Sequence, residues 1–128
     1  MSRNLNDILM EGFQQTVEQY VKRNKNLLDS LSKFQTAGAR FCRASIKSAT
    51  QCGCIKIEGS TQDSDDASSP KTKVTGELCE TCKDTIQKEL GDVLFYLVAV
   101  CNALDINVYD VILNEQKMLD TLGPFSLK

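Results

Sequence analysis

Four of the six cysteines form two closely spaced pairs, a residue type and spacing that suit zinc. Cys52-Gly53-Cys54 is a C-x-C pair, and Cys79 and Cys82 form a C-x-x-C pair after 24 intervening residues. Zinc prefers four soft ligands in a tetrahedron, which two such pairs supply together. Because four thiolates leave no position open for water, the spacing predicts a structural zinc site on Cys52, Cys54, Cys79 and Cys82.

Cysteine chemistry leaves other interpretations open, and the expected compartment bears on them. Paired cysteines also form disulfides or stay free, and C-x-x-C occurs as a redox motif, although no βαβ pattern surrounds it here. We expect a cytoplasmic protein with no membrane segment, because the N-terminal stretch lacks an apolar signal core and the apolar run 93–104 is short. Cys42 and Cys101 each stand alone in a helical pattern, which predicts core packing for both.

A carboxylate pair and a basic stripe are the other candidates for chemistry. Glu89 and Asp92 are three residues apart on one helix face, a spacing that suits either a divalent cation or a solvated helix start. Arg40, Arg43 and Lys47 also share one helix face. They suit a phosphate-bearing ligand or an acidic partner, and the alternative is a charged surface facing solvent.

Helical periodicity predicts the elements that must position these residues. Apolar residues recur at steps of three and four from residue 5 to about 50, which predicts one long helix or two helices broken near residues 24–26. A second helical block over 77–104 is apolar nearly all round from Leu90 onward. This second block is therefore predicted to be the buried central helix.

Between and after these blocks the chain changes character. Alternating Ile and charged residues at 55–58 hint at a short strand, and the Ser-, Thr- and Asp-rich stretch predicts a mobile loop over 59–75. Asn107, followed by Asp110, predicts the capped start of a last helix over 108–119. The sequence thus predicts one all-α domain, 1–128, of three to four helices with a cysteine-bearing, zinc-binding insertion at 51–82.

Composition excludes several classes of function. The chain has no His, which removes Ser-His and Cys-His catalysis and every His metal ligand. A net charge of −2 argues against general nucleic-acid binding, which usually needs a basic surface. So few helices in one chain leave the apolar first helix under-covered, and we therefore expect a homodimer.

One long segment resembles a known family. The stretch ELGDVLFYLVAVCNALDINVYDVIL, residues 89–113, is similar to the second half of the MazG-like all-α nucleotide pyrophosphohydrolases. The resemblance implies a helical bundle that dimerises or tetramerises and hydrolyses nucleoside triphosphates to monophosphate and pyrophosphate with Mg²⁺. It also implies that Glu89 and Asp92 are the second metal-binding pair, E-x-x-D.

The first carboxylate pair of that family does not recur. Its best position here is residues 27–34, where Ser30 and Lys33 stand in place of the two acids and Asp29 is the one acidic residue. Lys33 puts a positive charge at a cation site, which opposes metal binding. Three hypotheses follow: a degenerate scaffold that acts as a binding or regulatory module, an active pyrophosphohydrolase with a rearranged site, or a zinc-stabilised interaction or redox-sensing module.

Overall fold

The fold is mostly α-helical, as predicted. The computed structural model describes residues 5–21, 26–59 and 72–123. Within these ranges a π-helical turn, Ser48–Cys52, continues the second helix, and two strands pair antiparallel. The regular elements are α1 (Leu5–Tyr20), α2 (Leu27–Lys47), β1 (Ile55–Gly59), β2 (Thr72–Gly76), α3 (Glu80–Ala103) and α4 (Val108–Leu122).

Asparagine side chains begin two of the helices. Asn26 precedes α2, and its Oδ1 accepts a hydrogen bond from the backbone N–H of Asp29 at 3.1 Å. The long first block is therefore two helices, and the start of α2 falls at the predicted break. Asn107 caps α4 in the same way, because its Oδ1 accepts from the N–H of Asp110 at 3.1 Å. The last helix starts as predicted and extends three residues further than expected, to Leu122.

Contacts divide the chain into two compact units: residues 1–34 with 94–128, and residues 35–93. The core of the first unit is formed by Val17, Val98 and Ala99, all at most 3% exposed. Val21, Phe95 and Val108 pack against it.

A polar network also ties the first unit together. The Gln14 amide donates to Asn102 Oδ1 and to the Ile106 carbonyl, each at 2.8 Å. Its oxygen accepts from the N–H of Val108 at 2.9 Å, so one side chain joins α1 to both ends of the α3–α4 turn. Sequence periodicity gave no signal for this network, because Gln14 is polar and lies outside the apolar stripe.

Much apolar surface remains exposed among the described residues. The prediction that α3 is the buried central helix is wrong for its leucines, since Leu90, Leu94 and Leu97 are all more than one-third exposed. None of the described residues of α4 is buried. Over the same residues no single helix is both long and apolar enough to cross a membrane, and only α3 and α4 together, bent by 103°, pass on length and composition.

The second unit holds a β-hairpin, of which the sequence predicted only the first strand. β1 confirms the expected short strand, and its register runs from Ile55 opposite Gly76 to Gly59 opposite Thr72. The predicted loop over 59–75 is therefore wrong at both ends, because 59 and 72–75 belong to strands. Residues 60–71 lie outside the described residues. Strand β2 was missed because its pairing with β1 is a long-range contact that local composition does not report.

Candidate metal centre

The first cysteine pair sits on a tight turn at the end of α2. The π-helical turn ends at Cys52, and Gly53 follows it with a φ of +80°, a left-handed conformation that favours glycine. The Ser48 carbonyl accepts from the N–H of Gly53 at 2.9 Å and from the Cys54 thiol at 3.6 Å. One buried backbone oxygen therefore fixes both the turn and the second cysteine.

The hairpin brings the second pair of cysteines back to the first. Gly76 ends β2 opposite Ile55, with a φ of +90°. A Cβ at this position would lie 2.7 Å from the backbone oxygen of Cys54, a distance that real Cβ contacts do not show. Only glycine allows this close approach, which places the start of the segment leading to Cys79 against Cys54.

The second cysteine pair forms the N-terminus of α3. The Cys79 carbonyl accepts from the N–H of Lys83 at 2.9 Å, and its Sγ accepts from the N–H of Cys82 at 3.4 Å, so Cys79 caps the helix. The Cys82 N–H stabilises a thiolate there and lowers the pKa of Cys79 to about 7. A hydrogen bond between the Cys82 thiol and the Cys79 sulfur, together with desolvation, raises the pKa of Cys82 to about 12.

The four sulfur atoms form one cluster. All four Sγ atoms lie within 4.8 Å of one another, and Cys52 Sγ is 3.8 Å from Cys79 Sγ. A tetrahedral ion with metal–sulfur bonds of about 2.3 Å has sulfur–sulfur edges of about 3.8 Å. A disulfide would need about 2.05 Å, and all six cysteines are free. Cys52, Cys54, Cys79 and Cys82 are thus a group that can hold a metal ion.

A basic pocket adjoins this cluster within the same unit. Arg40, Arg43 and Lys47 of α2 line an open pocket of about 500 Å³ together with Cys52 and Cys82. We call it the basic pocket. None of the three cations forms an ion pair with another described residue. The structure therefore joins two features that sequence analysis treated separately, the cations of α2 and two of the four clustered cysteines.

The predicted E-x-x-D pair is divided by the structure. Glu89 lines the basic pocket, whereas Asp92 is exposed and is not among the lining residues. Within the described residues, Glu89 Oε2 is buried and has no hydrogen-bond partner. The pair on α3 therefore does not converge on this pocket.

The structure also gives the surroundings of Lys33, Cys101 and Cys42, which the sequence analysis discussed. Lys33 forms an ion pair with Asp29 at 3.0 Å, and this hydrogen bond raises the pKa of Lys33. Cys101 is partly buried, and desolvation raises its pKa. The prediction for Cys42 is wrong: it is exposed, because it lies five residues, or about 140°, around α2 from the buried Ala37.

Comparisons with known proteins add no relative. No family model matches the chain, and no curated protein and no solved structure is significantly similar to it.

Proposed function

We propose that the cysteine cluster holds one structural zinc ion and that the protein is a zinc-braced binding or regulatory module. The observation that carries this is the set of four sulfurs within 4.8 Å of one another, on a C-x-C turn and a helix N-terminus. Four thiolates fill a tetrahedral zinc and leave no site for a reacting water. The ion would pin β1, β2 and the start of α3 together.

The contents of the basic pocket support binding over hydrolysis. Hydrolysis by Mg²⁺ needs several carboxylates that hold the ion near the scissile phosphate. Among the described residues the pocket has one carboxylate, Glu89, beside the three cations of α2. This balance suits an anionic ligand such as a nucleotide or another phosphorylated small molecule. We therefore propose a degenerate relative of the MazG-like enzymes.

We further propose that a second copy of the chain covers the exposed apolar faces of α1 and α4. Leu5 and Leu9 of α1 are 83% and 71% exposed, and α4 buries none of its described residues. Apolar surface on this scale is typical of interfaces between protein chains. Light scattering should give the mass of a homodimer, and a wild-type monomer would contradict this part of the proposal.

Metal analysis tests the zinc assignment. We expect one zinc per chain in the purified protein, and loss of that zinc in Cys54→Ser and Cys82→Ser. Cys42→Ser is the matched control, because Cys42 is an exposed cysteine outside the cluster. Zinc retained in Cys82→Ser, or an intact protein without metal, would overturn the assignment. Zinc released by mild oxidant, with altered partner binding, would instead favour a redox-sensing module.

A pyrophosphate-release assay tests the absence of hydrolysis. Zinc-loaded protein should release no pyrophosphate from a panel of nucleoside and deoxynucleoside triphosphates with Mg²⁺ or Mn²⁺. Turnover that disappears in Glu89→Gln would overturn the degenerate scaffold and establish an active pyrophosphohydrolase.

A further inference from the structure

The carboxylate of Glu89 is the feature of the basic pocket that phosphate binding does not explain. Its Oε2 is shielded from solvent and lacks a hydrogen-bond partner among the described residues. A buried acceptor without a donor loses the hydrogen bonds that water would give it, and this raises the free energy of the folded state, whereas an exposed acceptor keeps its bonds to water. A carboxylate also repels a phosphate, so an anion site would be stronger without it.

The charges of the pocket define a ligand with two ends. Arg40, Arg43 and Lys47 offer donors and positive charge, which suit phosphate oxygens. Glu89, which projects from α3, offers an acceptor and negative charge in the same pocket. A volume of about 500 Å³ leaves room for an organic molecule well beyond the size of a phosphate ion.

We propose that the ligand is an organic phosphate that also carries an amine or ammonium group, and that the carboxylate of Glu89, as a lining group of the pocket, pairs with that group. This inference rests on the proposed phosphate-binding role of the basic pocket and adds the chemistry of the ligand's other end. The phosphate binds to the cations of α2, and the amine pairs with the carboxylate of Glu89 on α3. Selectivity for the amine comes from Glu89, and overall affinity for phosphate comes from the cations.

Calorimetric titration of the full-length, zinc-loaded protein tests the ligand class with matched pairs. Aminoethyl and aminopropyl phosphate are compared with ethyl and propyl phosphate, and adenosine monophosphate with purine riboside monophosphate, which lacks the amino group. At least one amine-bearing member should bind about tenfold or more tightly than its partner, as expected for a charge-assisted hydrogen bond. Equal affinity within every pair would overturn the inference.

Inorganic pyrophosphate separates this inference from the proposed function. Pyrophosphate that binds while no pair shows a preference would leave an anion pocket and remove the role of Glu89. If neither pyrophosphate nor any organic phosphate binds, the phosphate-binding role of the basic pocket is wrong as well.

Two variants of α3 assign the selectivity to one carboxylate. Glu89→Gln keeps the size of the side chain and removes its charge. The amine-bearing ligand and its amine-free partner should then bind with about equal affinity. Pyrophosphate should bind to this variant at least as tightly as to wild type. Asp92→Asn removes the same charge three residues away, outside the pocket, and should leave the ratio of affinities within the pair unchanged. A preference that survives in Glu89→Gln, or disappears in Asp92→Asn, would contradict the assignment. Zinc content serves as the folding control for both.

Discussion

Substitution of Gly76 by Ala should weaken zinc binding through the backbone, without touching any ligand. The φ of +90° is unfavourable for a residue with a Cβ by about 1–2 kcal/mol. The new Cβ would also lie 2.7 Å from the backbone oxygen of Cys54, and a carbonyl cannot rotate away as a flexible side chain can. Crowding of this kind raises the free energy of the closed hairpin further, by about 1–3 kcal/mol.

These two contributions give a lower bound of about 2 kcal/mol, or about a 30-fold loss in zinc affinity. We expect the loss in zinc affinity because the four sulfurs meet only with the hairpin closed against Cys54, so that metal-free protein could relieve the clash by opening the hairpin and zinc-bound protein could not. Competition with a chromogenic zinc chelator measures the difference directly.

Two other glycines separate the two contributions. Gly53 has a φ of +80° but nothing within 4 Å of its Cβ position, so Gly53→Ala should show the conformational part only. Gly59 lies at the far end of the hairpin with no positive φ and no neighbour within 4 Å, and Gly59→Ala should bind zinc like wild type. If Gly76→Ala binds zinc as tightly as Gly53→Ala, the close approach to Cys54 does not constrain the site.

Two further predictions concern the thiols and the last helix. In metal-free protein at neutral pH, iodoacetamide should alkylate Cys79 before Cys82, because their pKa values are about 7 and about 12. The rate at Cys79 should reach half of its maximum near pH 7 and level off about one pH unit higher, and peptide mass mapping that finds equal labelling of the two cysteines would contradict the prediction. Asn107→Ala should cost about 1 kcal/mol and lower the melting temperature by several degrees, since it removes the cap of α4. Asn114→Ala, an exposed change within the same helix, should leave the melting temperature unchanged or slightly higher, because Ala is the better helix former, and a decrease equal to that of Asn107→Ala would refute the capping role.

Local signals explain why the helices were predictable. An apolar stripe at steps of three and four and an asparagine just before it are short-range features, and Asn26 and Asn107 cap as the sequence indicated. Long-range features were not predictable. Strand β2 depends on its register with β1, and the exposed side of α3 depends on what packs against the helix. The local sequence of residues 72–76 and 90–97 does not indicate which other segment each of them packs against.

The cysteine spacing predicted that the four cysteines come together, but it did not predict the basic pocket. The connection depends on how α2 ends, because the helix continues through the π-helical turn directly into Cys52. Lys47 and Cys52 are therefore five residues apart along almost continuous helix, and the cations of α2 come to line the same pocket as a cysteine of the cluster. Sequence analysis ended the helical pattern near residue 50 and began the cysteine-bearing insertion at residue 51, so it treated the cations and the cysteines as separate features.

Charge balance connects the proposed zinc ion to the proposed ligand. A zinc ion with four thiolates carries a net charge of −2, while the three cations of α2 together with Glu89 contribute a net charge of +2. With zinc bound, the surroundings of the basic pocket are therefore close to neutral. A phosphate that carries its own ammonium group adds less net negative charge beside the four thiolates than a bare phosphate does. The same amine that pairs with Glu89 thus lowers the charge that the ligand brings next to the proposed zinc ion.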